Sequence, residues 1–176
     1  MVKKLLILLA ALVVLMGFYA ISIAQEKGEA KAEAKKAATH EYIGAKKCAL
    51  CHKKDGVYPS WMETKHAKAW DALSEADQKN EKCVGCHTTG TTAKGELLEG
   101  VQCEACHGPG SDFFKMSIMK DKEKAIANGL IIPDSTTCMK CHNKDVPAQF
   151  QPKGGYNFAE MMKTGLHTMP AKEEKK

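Results

Sequence analysis

The chain has 176 residues, 44% of them apolar, and a formal net charge of +5. This length suits a single domain. The positive charge comes from 26 lysines with no arginine, spread along the chain instead of clustered, which argues against a nucleic-acid-binding protein.

Residues 1–24 have the pattern of a secretory signal peptide. Lys3 and Lys4 precede an apolar run over 5–21, and small residues stand before Gln25. The pattern predicts a periplasmic or otherwise exported protein. Because the apolar run is long for a signal, an uncleaved membrane anchor is the alternative, and contact with a membrane is expected only in that case.

Two further segments lack the apolar residues that a folded domain needs. Residues 25–39 are rich in Ala, Glu and Lys and are predicted to form a flexible tether, and residues 171–176 a disordered tail. The folded domain is therefore expected within residues 40–170.

All eight cysteines belong to four copies of one motif, C-x-x-C-H. Disulfides suit an exported chain and paired C-x-x-C units can bind zinc, but both interpretations leave the histidine of every copy without a role. Covalent c-type haem uses all three residues, because each thiol adds to a haem vinyl group and the histidine becomes the proximal iron ligand. The sequence therefore predicts four covalently attached c-type haems. The copies are Cys48, Cys51 and His52; Cys83, Cys86 and His87; Cys103, Cys106 and His107; and Cys138, Cys141 and His142.

Four haems in one small domain determine the expected fold. We expect a mainly α fold with much irregular structure, a small multihaem cytochrome c fold organised around four covalent haems whose irons lie close together. Helices are predicted over 60–75, 118–128 and 157–167, with a turn or hairpin at "GELLEG", residues 95–100. Because the side chains alone make a poor core, the apoprotein is expected to be largely unfolded.

The three remaining histidines are the candidate distal ligands. Four irons have eight axial positions but the chain has seven histidines, so at least one haem lacks a second histidine from its own chain. His66 lies on an apolar stripe of helical spacing and His167 follows another such segment, so both are predicted to bind iron. His40, at the edge of the tether, is either a surface residue or the distal ligand of the first haem, in its own chain or in a neighbour.

Four stretches together resemble the tetrahaem cytochrome c-554 family. They are "KKCALCHKKDGVYPSWMETKHAKAW", "KCVGCHTTG", "GVQCEACHGPGSDF" and "YNFAEMMKTGLH", and they follow in order from Lys46 to His167. Founding members of that family accept electrons in ammonia oxidation. The resemblance implies that His66 caps the fourth haem and His167 the third, while the second haem, held by His87, has no protein ligand on its far side.

One departure from the family concerns the first haem. The family has its distal histidine shortly after the "GPG" stretch, but this chain reads "GPGSDFFKMSIMKD" there. Met116 or Met119 could replace it and would raise that haem's potential, although such methionines more often only pack. His40 is the preferred candidate.

Three functions are compatible with these motifs. The first is an exported electron carrier that binds redox proteins briefly, and this is favoured over an enzyme. The second is a reductase of a small ligand, such as nitric oxide, at the open iron of the second haem. The third is a subunit of an extracellular cytochrome filament that self-associates through His40.

Overall fold

The computed structural model describes residues 40–164 and 166–168. The predicted signal peptide (1–24), tether (25–39) and tail (171–176) lie outside the described residues. Those three predictions therefore stay predictions.

Short helices joined by turns make up most of the described chain, which confirms the mainly α fold with much irregular structure. No helix of the described segments is long and apolar enough to cross a membrane. The α-helices are α1 (Ala45–His52), α2 (Val57–Met62), α3 (Glu81–His87), α4 (Cys103–His107), α5 (Met116–Met119), α6 (Lys122–Ala127), α7 (Ser135–Cys138) and α8 (Phe158–Thr164), and single 3₁₀ turns lie at Asp77–Lys79, Gly110–Asp112 and Ala148–Phe150.

A small antiparallel hairpin connects α3 to α4. Its strands are β1 (Thr88–Thr91) and β2 (Leu97–Glu99), with a bulge between Thr88 and Gly90. The buried Thr89 hydroxyl donates to the Gly100 carbonyl at 2.9 Å and accepts the Gln102 N–H at 2.7 Å, which fixes the chain as it leaves β2. The turn or hairpin predicted at residues 95–100 is part of a longer hairpin, in which those residues contribute the second strand.

The helix predicted over 60–75 is wrong beyond its first residues, because α2 ends at Met62 and turns follow. Thr64 accounts for this end. Its hydroxyl donates to the Trp61 carbonyl at 2.7 Å and accepts the Ala67 N–H at 3.2 Å, and such local side-chain bonds compete with helical ones. His66 therefore lies in a series of turns and not on a helical stripe.

The two later helix predictions are correct in place but not in length. The segment 118–128 divides into α5 and α6 because the Asp121 side chain accepts the Lys124 N–H at 3.0 Å and so caps a new helix. The last helix, α8, ends at Thr164, so His167 lies beyond it.

The polypeptide buries few apolar side chains of its own. Among the described residues, the buried apolar ones are Ala45, Phe113 and Ala125. Large apolar side chains such as Leu50 and Phe150 are more than 70% exposed. Side chains alone therefore supply little of the hydrophobic stabilisation that a domain requires.

Candidate functional site

The C-x-x-C-H motifs coincide with short helices. Helices α1, α3 and α4 each end at the motif histidine, and in the fourth motif the His142 N–H donates to the Cys138 carbonyl at 2.9 Å, beyond the end of α7. In a helix, residues three and four positions apart share one face. The spacing therefore brings two thiols and one imidazole to the same side of each motif.

Polar caps determine where two of these helices begin. The Asn80 side chain accepts the Lys82 N–H at 3.1 Å before α3. The Asp134 carboxylate accepts the N–H groups of Thr136 and Thr137 at 2.9 and 3.2 Å before α7. Both are preferred N-cap residues, and they start the helix just before the first cysteine of the motif.

Three of the four motif histidines are oriented through ring atom Nδ1. This atom lies 2.6 Å from the Ala69 carbonyl in His87 and 3.0 Å from the Ile131 carbonyl in His107. A carbonyl only accepts, so Nδ1 carries the proton and Nε2 is left as the electron-pair donor. In His52, Nδ1 lies 2.7 Å from the Asp55 carboxylate. Metal-bound histidines use the same arrangement, which fits the proximal role predicted for these residues.

Two of the candidate distal histidines, His66 and His167, each lie close to a motif histidine. The rings of His66 and His142 have centroids 5.9 Å apart, and those of His107 and His167 have centroids 6.1 Å apart. Two nitrogens that bind one metal ion from opposite sides lie about 4 Å apart, twice a bond of about 2 Å, and the ring centres lie farther out. Both pairs therefore have the spacing that a shared iron requires.

Burial favours the neutral form of two of these rings. Burial lowers the pKa of His107, and this effect is larger than the opposite effect of the hydrogen bond to the Ile131 carbonyl. Burial, followed by the charge of His66, also lowers the pKa of His142. A neutral imidazole is the form that donates an electron pair to a metal.

The cysteines bring the motifs together in pairs. Cys48 of the first motif shares a hydrogen bond with Cys103 of the third. This bond, followed by burial, raises the pKa of the Cys48 thiol. The same bond lowers the pKa of Cys103, although burial acts in the opposite direction. Burial, together with a hydrogen bond to Cys86 of the second motif, raises the pKa of Cys141 in the fourth to about 12.

An electrostatic interaction links the two pairs. Burial raises the pKa of the Cys106 thiol, and the nearby Cys138 of the fourth motif adds to this effect. All eight cysteines lie in the described segments, and none forms a disulfide. The motifs therefore form a series in the order first, third, fourth and second.

His40 lies beside the segment in which the resemblance led us to look for the distal histidine of the first haem. Its Nδ1 is 2.9 Å from the Asp112 carboxylate, and Asp112 closely follows the "GPG" stretch. The His40 side chain is 54% exposed, and no ring contact joins it to another histidine of the described chain. Met116, one of the two alternatives with Met119, is 58% exposed.

Sequence reasoning missed two carboxylates of the site. Asp55 forms a hydrogen bond with the ring of His52. The sequence feature that could have indicated it is the aspartate shared by "CHKKD" and "CHNKD". Glu104, between the cysteines of the third motif, is fully buried, with no periodic pattern to indicate it.

Comparisons with known proteins agree with the motifs. The family described as "Cytochrome c554 and c-prime" matches residues 47–108. Cytochrome c-554 of Nitrosomonas europaea is 35% identical over 141 residues, which cover 60% of this chain and 59% of the relative. The chain thus spans about three fifths of the length of that curated relative.

The architecture agrees as well. The solved structure of the reduced state of cytochrome c554 from Nitrosomonas europaea has a TM-score of 0.56 and 26% identity, with 72% of this chain and 85% of that chain covered. Sequence, motifs and fold thus agree in one result: over much of its length this chain is similar to cytochrome c-554.

Proposed function

We propose that this protein is an exported tetrahaem c-type cytochrome that transfers single electrons between redox partners through closely packed haems. The observation that carries the proposal is the contact series of the four C-x-x-C-H motifs. Covalently bound haem supplies the one-electron iron couple.

The residues of the chain have distinct roles in this proposal. The eight motif cysteines attach the haems, and the four motif histidines are the proximal ligands. His66 and His167 are the distal ligands of the fourth and third haems, and the ring spacings of 5.9 and 6.1 Å support this assignment. Two imidazole ligands would leave these two irons no open position for a small molecule, which suits electron transfer.

His40 is the proposed distal ligand of the first haem. The Asp112 carboxylate, 2.9 Å from Nδ1, favours a proton on that nitrogen, which leaves Nε2 as the donor atom. The position of Asp112, just after "GPG", supports this choice over Met116 and Met119. His40 is also the residue to test for self-association, by comparing the size of the holoprotein with that of its His40→Ala variant.

Haem content is the first test. The protein should be purified from a host that matures c-type cytochromes, and its measured mass should correspond to the chain with four haems. The same measurement shows whether the mature chain begins near Gln25. A double variant, Cys138→Ser with Cys141→Ser, should lose one haem as the matched control. A wild-type chain with fewer than four haems overturns the tetrahaem proposal.

Electron exchange is the second test. Potentiometric titration should resolve four one-electron steps, and stopped-flow mixing of the reduced holoprotein with a small oxidised c-type cytochrome should show transfer. Low-temperature electron paramagnetic resonance of the oxidised holoprotein should show one high-spin iron. Two high-spin irons would mean that neither His40 nor a methionine binds. A holoprotein that exchanges no electrons overturns the carrier role.

A second candidate function concerns the second haem. All seven histidines lie among the described residues, and none forms a ring contact with His87. An iron bound by His87 with an open far side could bind and reduce nitric oxide. Turnover of nitric oxide with excess electron donor would support this reductase, whereas binding without turnover leaves the carrier.

A further inference from the structure

Glu104 is a fully buried carboxylate in the middle of the third motif, with 2% of its surface exposed. Its Oε1 accepts the N–H groups of Ile43 and Gly110 at 3.0 and 2.6 Å, and its Oε2 accepts those of Ile43 and Gly44 at 3.1 and 2.6 Å. Every partner is a donor, so both oxygens act as acceptors, as in an ionised carboxylate. No salt bridge joins Glu104 to a cation in the described part of the chain.

The backbone around Glu104 is shaped to approach it closely. A Cβ added at Gly110 would lie 2.9 Å from the Glu104 Oε1, and Gly44 has a φ of +80°, which favours glycine. The carboxylate thereby joins the segment before α1, which bears the first motif, to α4 and to the "GPG" turn. Burial of a charge is expensive unless it is well solvated by donors, and this site provides them.

Joining these segments does not require a charge. Gln102, two residues earlier, makes a comparable connection with a neutral amide. It accepts the Ala45 N–H at 2.8 Å and donates to the Glu99 carbonyl at 2.9 Å. The charge of Glu104 therefore calls for a further role.

The Glu104 charge already acts on the attachment residues of two motifs. It raises the pKa of the Cys48 thiol, although hydrogen bonding and burial contribute more. It also acts to raise the pKa of Cys103, which the hydrogen bond to Cys48 lowers. Cys48 and Cys103 belong to the first and third motifs. A buried charge is poorly screened, so its field extends to any group bound at these cysteines.

We propose that Glu104 is a positioning residue whose buried negative charge lowers the reduction potentials of the haems attached at the first and third motifs. This inference rests on the proposed attachment of haem there. Oxidised iron carries one more positive charge than reduced iron, so a fixed negative charge nearby favours the oxidised form.

The test is potentiometric titration of the holoprotein and two variants. In Glu104→Gln, one or two of the four potentials should rise by about 59 mV, which is about a tenfold change in the equilibrium constant of a one-electron step. The matched control Gln102→Leu breaks the neutral connection and should leave all four potentials unchanged. A fully loaded Glu104→Gln protein with wild-type potentials overturns the proposal.

Haem content separates this inference from the proposed function. Wild-type protein without haem at the first or third motif defeats the proposed function itself, whereas loaded protein with unmoved potentials defeats only the role of Glu104. Should Glu104→Gln fail to mature, Gln102→Glu still tests the effect of charge. An added carboxylate beside Ala45 should lower the same potentials, and unchanged potentials would overturn the proposal.

Discussion

The imidazole rings of His107 and His167 lie 6.1 Å apart at their centroids, although the two residues belong to distant parts of the chain. Each ring has its Nδ1 3.0 Å from a backbone carbonyl, that of Ile131 for His107 and that of Thr168 for His167. Both rings therefore present an unprotonated Nε2. The distance between the two rings is compatible with the distal role predicted for His167 opposite His107.

Replacement of His167 should open one iron. In His167→Ala we expect one more high-spin iron than in wild type, because the third haem loses its distal ligand, and His66→Ala should act likewise at the fourth haem. Electron paramagnetic resonance of the oxidised holoproteins counts these irons. Met162→Ala is the control, since it trims a half-exposed side chain on α8 without removing a ligand. An equal high-spin count in His167→Ala and Met162→Ala would contradict the assignment.

Gly100→Ala should destabilise the region between the second and fourth haem sites. Gly100 has a φ of +77°, and an added Cβ would lie 2.7 Å from the Ala67 carbonyl oxygen, next to His66. Left-handed strain and the backbone clash together should lower the free energy of unfolding by about 2–4 kcal/mol. Denaturant unfolding of the holoprotein measures this loss.

Gly95→Ala is the matched control for Gly100→Ala. Gly95 has a similar φ of +82°, but an added Cβ there would meet nothing within 4 Å. Its substitution should cost only the left-handed strain, about 1 kcal/mol. Equal losses in the two variants would show that the contact with Ala67 is unimportant.

Local patterns could be predicted from the sequence, and distant contacts could not. The four attachment motifs follow from spacings within five residues, and a turn or hairpin was expected at "GELLEG", which forms one strand of the hairpin. The helix over 60–75 was wrong because the Thr64 hydroxyl bonds to the backbone, which periodicity does not encode. The partners of Glu104 lie at residues 43, 44 and 110, so only the folded chain brings them together.

Which C-x-x-C-H motifs contact each other could not be predicted from the sequence either. Cys48 meets Cys103 and Cys86 meets Cys141 across long stretches of chain, so no sequence spacing indicates which motifs touch. The resemblance to a family implied distal roles for His66 and His167, because it carries information about the whole fold. For His40 the chain departs from the family, and its contact with Asp112 emerges only from the structure.

Acid should weaken the helix that begins the fourth motif. Hydrogen bonds from the Thr136 side chain and the Thr137 N–H hold the pKa of Asp134 below its ordinary value of 3.8. The stabilisation by the ionised cap is therefore fully present above pH 3.8 and is lost as the pH falls through the lowered pKa. At neutral pH, wild type should melt a few degrees above Asp134→Asn. This difference in melting temperature should disappear as the pH falls to strongly acidic values.

The control for Asp134→Asn is Asp145→Asn, the same charge change at a residue that caps no helix. Melting curves of the three holoproteins, followed by far-ultraviolet circular dichroism across the pH range, give the differences. A constant difference between wild type and Asp134→Asn down to strong acid would count against the cap.

Removal of the attachment cysteines should abolish the fold. Ordering a residue costs about 1–2 kcal/mol in backbone entropy, and the described chain offers only Ala45, Phe113 and Ala125 as buried apolar side chains to offset it. A variant with all eight cysteines changed to serine should therefore show little helical circular dichroism and no cooperative unfolding transition. The control with only Cys138 and Cys141 changed should retain a transition at lower temperature, because three attachment motifs remain. Native-like helicity and cooperative melting in the eightfold variant would mean that the polypeptide holds this fold by itself.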